Sequence, residues 1–104
     1  MRRVAFKMKL KPGFLKEYKK RHDEIWPELS QELAKAGITD YSIFFDEESN
    51  ALFAVQKLSE HDTSDLLPQT EIVKKWWSYM SEIMEVNPDK SPLSIALIEV
   101  FHQD

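Results

Sequence analysis

Polar and apolar residues alternate over residues 3–10, with Val4, Phe6, Met8 and Leu10 on one side and Arg3, Ala5, Lys7 and Lys9 on the other. That period of two predicts a strand, and Pro12-Gly13 ends it. From about Phe14 to Ala36 the period lengthens. Phe14, Leu15, Tyr18, His22, Ile25, Trp26, Leu29 and Leu33 fall on one stripe, as on a helix laid against a core, and Gly37 stands where a C-cap belongs. Pro27 lies inside the stripe. It offers no N–H to the carbonyl of Asp23 and its ring crowds that turn, so a kink is expected near Trp26. Thr39 to Asp46 is aromatic and β-branched and reads as a strand, with Tyr41, Ile43 and Phe45 on one face and Ser42 and Phe44 on the other. A polar turn at 46–50 leads into a strand from Ala51 to Leu58, which makes 39–58 a hairpin. Residues 59–69 are polar, carry Pro68 and read as a loop with room for a short helical turn. Ile72, Val73, Trp76, Trp77, Met80, Ile83 and Met84 mark a second amphipathic helix. Asn87-Pro88-Asp89 and Ser91-Pro92 end it in a turn-rich loop, and the last strand runs from about Ser94 to Phe101.

The resulting order, β-α-β-β-α-β, is the ferredoxin-like α+β arrangement, an antiparallel sheet with two helices on one face. At 104 residues the chain reads as a single domain, 1–104. Its last strand is apolar on both sides: Ile95, Leu97 and Phe101 share one, Ala96, Ile98 and Val100 the other. Helices can cover only one face of the sheet. A symmetric homodimer packed sheet to sheet is therefore expected.

Composition narrows the function classes. Hydrophobic residues make up 42% of the chain, which excludes disorder. The absence of cysteine excludes a disulfide framework, thiolate catalysis and cysteine-based zinc sites. No apolar run approaches the roughly 20 residues that span a bilayer. Lys7 and Lys9 interrupt any signal-peptide core in the first ten residues, so a soluble, cytoplasmic protein without membrane association is expected. A net charge of −4 argues against nucleic acid as a partner. The run Lys16, Lys19-Lys20-Arg21 reads as the solvated outer face of the first helix. With Gly13 and Gly37 as the only glycines, no phosphate-cradling loop can be built, and His61 and His102 show no metal-ligand spacing to His22. No cofactor and no metal are expected.

The informative chemistry is on the stripes. Tyr18 and His22 stack one turn apart, placing a phenol and an imidazole where the pattern otherwise demands hydrocarbon. A buried histidine is costly unless hydrogen-bonded. It is either a satisfied core residue or a group doing proton chemistry near neutral pH. Tyr41 on the next strand and Trp76-Trp77 on the second helix should face the same side of the sheet. Flat apolar walls with a few polar handles suit a small molecule, and a pyranose, with an apolar C–H face and a rim of hydroxyls, fits that description. Taken singly, each aromatic reads more readily in a bland role, Trp76 and Trp77 as core packing and Tyr18 and Tyr41 as amphipathic surface residues.

The run Tyr18-Lys19-Lys20-Arg21-His22-Asp23-Glu24-Ile25-Trp26-Pro27-Glu28-Leu29 resembles the Y-x-x-R-H-x-x-I-W-P-E-L segment of L-rhamnose mutarotases. Tyr41, Trp76-Trp77-x-Tyr79-Met80, Asn87-Pro88-Asp89 with Ser91-Pro92, and Glu99-Val100-Phe101 extend the resemblance over nearly the whole chain. It is poorest over 59–69. The resemblance implies a small dimeric α/β-barrel isomerase that interconverts the α and β anomers of L-rhamnose. It implies His22 as proton donor and Tyr18, Tyr41, Trp76 and Trp77 as sugar-binding residues. Three rivals compete: a monooxygenase-like member of the same dimeric barrel architecture, a non-catalytic sugar-binding module, and an RNA-binding domain of the same β-α-β-β-α-β order. The acidic balance and the missing Lys/Arg-Gly-aromatic strand signature weigh against the last.

Overall fold

A computed structural model describes residues 1–104. Strand β1 (Arg2–Lys9) is followed by helices α1 (Leu15–Asp23) and α2 (Pro27–Lys35), the hairpin β2 (Ile38–Asp46) and β3 (Ala51–Leu58), a 3-10 segment (Ser64–Gln69), helix α3 (Glu71–Met80) and the short strand β4 (Ile95–Leu97). The sheet order is β2-β3-β1-β4 and every pairing is antiparallel, which is the ferredoxin-like α+β arrangement. Register assigns the two faces. Val4, Phe6 and Met8 lie opposite Gln56, Ala54 and Leu52, and these residues point toward the helices into a core that includes Leu10, Leu29, Leu58, Val73 and Met80.

Three sequence expectations change in the fold. First, the single kinked helix over 14–36 is two helices. Pro27 forces the residue before it out of the helical region, and Trp26 is extended at φ −61°, ψ 128°. The proline then serves as the first residue of α2, where its missing N–H has no consequence. Second, the helix predicted to reach Met84 ends at Met80. The Lys11 N–H takes the carbonyl of Ile83 and the Glu85 N–H takes that of Lys9, so the end of β1 draws the chain away from helical pairing. Ile83 and Met84 remain buried.

Third, the strand predicted over 94–101 is hydrogen-bonded only at Ile95–Leu97, to Lys7, Phe6 and Ala5. Beyond it no second strand of this chain is available, and Ile98, Val100 and Phe101 stand exposed. The alternation over those residues was a property of the sequence without a partner in the chain.

Two backbone positions matter for the site. Gly37 (φ +89°) turns the chain from α2 into β2, and a Cβ there would collide with the Ser59 hydroxyl. In β2, Thr39 pairs with Lys57 and Ser42 with Val55, so Asp40 and Tyr41 together oppose Gln56. This is a β-bulge with Asp40 in the left-handed region (φ 47°). Ile38 faces Leu58 on the helix side of the sheet. Without the extra residue, strict alternation would put Tyr41, Ile43 and Phe45 on the opposite side. The bulge returns them to the side of Ile38.

Candidate active site

The space between the helix-covered face of the sheet and the helices is an open cleft of ≈ 1130 Å³. Tyr18, His22, Tyr41, Trp76 and Trp77 all line it. Tyr18 and Trp76 are buried, at 6% and 9% exposure, while Tyr41 is 38% exposed at the mouth of the space. His22 and Trp77 are half-buried.

His22 comes from the last turn of α1. Its Nδ1 lies 3.0 Å from the backbone oxygen of Tyr18. A carbonyl only accepts, so Nδ1 carries the proton and donates it, and in the neutral ring Nε2 is the free lone pair. No hydrogen bond from the protein occupies Nε2. Burial pushes the imidazole below its ordinary 6.5, against opposing pulls from the Tyr18 carbonyl and Asp23. The ring is therefore neutral at pH 7.

The Tyr18 ring lies beside the imidazole with centroids 4.3 Å apart, and Trp76 meets it edge-on at 5.4 Å. Behind Trp76 the ladder continues through Trp26 at 5.1 Å, which stacks on Tyr79 at 5.6 Å. Arg21 closes it. Its guanidinium carbon sits 3.8 Å over the Tyr79 ring, with Nη1 donating to the Tyr79 carbonyl at 2.7 Å. The same guanidinium donates to Glu17 at 2.7 Å and Glu82 at 3.0 Å. Its side chain is only 10% exposed. The solvated-face reading of Arg21 is thus corrected: the guanidinium ties α1 to α3 behind the aromatic wall.

Two phenols complete the lining, Tyr18 beside the imidazole and Tyr41 on the sheet. Burial raises Tyr18 far above the usual phenol range, and the nearness of Tyr41 raises it further. Tyr41 is itself raised by burial and drawn partly back by the Gln56 side chain. Both phenols keep their protons through neutral pH. They can donate to and accept from hydroxyls but do not act as bases there.

Sequence reasoning overlooked Arg21, Tyr79 and Gln56. A signal existed for Gln56. It stands in the inward set Leu52, Ala54, Gln56, Leu58, so the alternation that identified the strand also placed its one amide in the core. Arg21 had a weaker signal in Glu17 one turn earlier.

The family model described as L-rhamnose mutarotase matches residues 3–103. The L-rhamnose mutarotase of Bacteroides thetaiotaomicron is 61% identical over 104 residues, covering 100% of both chains. That of Phocaeicola vulgatus is 57% identical with the same coverage. The crystal structure of the L-rhamnose mutarotase from Formosa agariphila superposes with a TM-score of 0.93 at 55% identity over 100% of both chains. An antibiotic biosynthesis monooxygenase, 13% identical, superposes at 0.60 over 94% of this chain and 97% of its own, a likeness of fold alone.

Proposed function

The chain belongs to the L-rhamnose mutarotase family, and from that premise we propose that it interconverts the α and β anomers of L-rhamnopyranose with His22 as the proton-transfer group. As a mutarotase it is an isomerase. The observation that carries the assignment of His22 is its fixed tautomer: Nδ1 is committed to the Tyr18 carbonyl, which leaves a basic Nε2 in a cleft walled by aromatic rings.

Ring opening removes the proton of the anomeric hydroxyl, forms the C1 carbonyl and breaks the C1–O5 bond, and O5 must be protonated as it leaves. O1 and O5 share the carbon C1, so one nitrogen can serve both. Neutral His22 accepts the O1 proton at Nε2, and the resulting imidazolium donates it to O5. After rotation about C1–C2, O5 attacks the other face of the aldehyde. Its proton returns through Nε2 to O1, and the enzyme is restored with no net change in protons. A positioned acid–base group contributes about 10²–10⁴-fold, enough for a reaction that is already fairly quick in water. Trp76 and Trp77 hold the apolar C–H face of the sugar, and Tyr18 and Tyr41 meet its hydroxyls. No cofactor is required.

The exposed side of the sheet supports a homodimer. Phe44 and Ile95 are 65% and 60% exposed there, and Leu97 lies on the same side opposite Ala5. A second copy of this sheet is the occupant proposed. Light scattering at micromolar concentration should give twice the 12.3 kDa chain mass, and a monomeric mass would overturn it. The cytoplasm is the proposed location, in keeping with a chain that uses no cysteine and has no helix long and apolar enough to cross a membrane.

The function itself is tested by NMR saturation transfer between the anomers of L-rhamnose. Exchange should accelerate with the wild type and lose that acceleration in a folded His22→Ala variant. Acceleration that survives the substitution would keep the mutarotase and remove His22 from its role.

A further inference from the structure

We propose that Gln56 is a substrate-binding residue of this cleft, its amide hydrogen-bonding a hydroxyl of the sugar beside the Tyr41 phenol and fixing how the ring sits against His22. The inference rests on the reading of the cleft as a sugar site.

Gln56 is the one polar side chain among the buried residues, at 8% exposure, and it lines the cleft. A primary amide can make four hydrogen bonds, and burying it without them is costly. Its one side-chain partner within the protein is the Tyr41 phenol, which leaves most of that capacity unused. No side-chain nitrogen or oxygen in the structure is both sealed from solvent and unpaired, so the amide atom that Tyr41 does not engage reaches the open space of the cleft. An apolar residue would serve the core better at this point, as Leu52, Ala54 and Leu58 do on the same face.

The backbone is also built around this residue. The bulge sets both Asp40 and Tyr41 opposite Gln56, and on its other side Gln56 pairs with Val4. The extra residue therefore aims the Tyr41 phenol at the one amide of the sheet. Asp40 turns outward, where its carboxylate meets Lys57 at 3.5 Å. The result is a donor–acceptor pair on the sheet, across the cleft from an imidazole and an aromatic wall. A hydroxyl held by that pair fixes one edge of the ring while the indoles hold its face.

The test measures equilibrium affinity for L-rhamnose, through quenching of tryptophan fluorescence, beside anomer exchange. Gln56→Met keeps length and removes the hydrogen bonds; Gln56→Leu serves if the first variant does not fold by thermal unfolding. Loss of a hydrogen bond should weaken binding about three- to tenfold. A set of L-rhamnose derivatives, each lacking one hydroxyl, separates contact from packing. For one derivative the wild type and the variant should bind alike, because the partner of the amide is already gone. Affinity for L-rhamnose within twofold of wild type, or an equal loss against every derivative, would overturn the proposal. If the wild type binds L-rhamnose without accelerating exchange, the mutarotase reading fails and the affinities still decide Gln56. If it does not bind L-rhamnose, both fail.

Discussion

On the helix side of the cleft the Arg21 guanidinium and the Nδ1 edge of His22 are already engaged with protein. Arg21 is held by Glu17, Glu82 and the Tyr79 carbonyl, and His22 by the Tyr18 carbonyl. On the sheet side the Tyr41 phenol and the Gln56 amide keep most of their hydrogen-bonding capacity. The two walls show how a small fold divides the work. Groups bonded within the protein are held still, as proton transfer needs, and groups with capacity to spare are left for the ligand. The helix wall should therefore govern turnover and the sheet wall affinity.

The division is broken most sharply at His22. Replacement by Ala should remove about 10²–10⁴-fold of acceleration while leaving the affinity for L-rhamnose nearly intact; a comparable loss of affinity would show that the imidazole is mainly a binding group. The pH profile sharpens the point. Burial holds the imidazole below 6.5, so activity should rise with pH through an apparent pKa under that value. It should then stay level through neutrality, because both phenols titrate above the ordinary 10.0. The sign for stability is the same. The unfolded chain binds the proton more readily than the fold, so stability contributed by neutral His22 is present above 6.5 and declines as pH falls toward the folded value.

A smaller effect is expected at Arg21, which touches no substrate and acts by position. Arg21→Met should lower the rate at saturation about tenfold or more, since misplacement of a catalytic group by about 1 Å can cost 10²-fold. KM should move little. Arg21→Lys should not rescue it, because a lysine cannot both stack on Tyr79 and span Glu17 and Glu82. Full rescue by lysine would reduce Arg21 to a charge. Tyr41→Phe, on the sheet wall, should weaken binding about three- to tenfold with turnover at saturation changed less than twofold. A larger loss of rate than of affinity would contradict the division. The smallest effect on activity belongs to the corner that joins the walls. Gly37→Ala forces a side chain into positive φ against Ser59 and should destabilise by about 1–3 kcal/mol, read as a lower Tm, with affinity and rate unchanged in the folded fraction.

Much of this was legible in the chain. Tyr18 and His22 announced themselves because a helix repeats its neighbours every turn, and the strands of the hairpin because a sheet alternates. What escaped had physical reasons. Arg21 looks like solvent chemistry until Tyr79 and Glu82, some sixty residues away, are brought beside it. Pro27 signalled a disturbance in the helix, but its size depended on the extended conformation it forces on Trp26. The reach of β4 could not be judged from alternation, because a strand needs a neighbour and residues 98–101 find none in this chain. The bulge leaves almost no mark in sequence beyond an aspartate, a residue that tolerates left-handed backbone.

That bulge has a consequence for how the chain can vary through descent. Because sides are assigned by counting, losing one residue at 39 or 40 would barely alter composition. It would nonetheless turn Tyr41, Ile43 and Phe45 outward and bring Ser42 and Phe44 in, emptying the sheet wall of its phenol. Exchanging Asp40 for glycine or asparagine keeps the count and the backbone shape. Relatives that keep this cleft should thus differ freely in the letter written at position 40 and hardly at all in the number of letters between Gly37 and Tyr41.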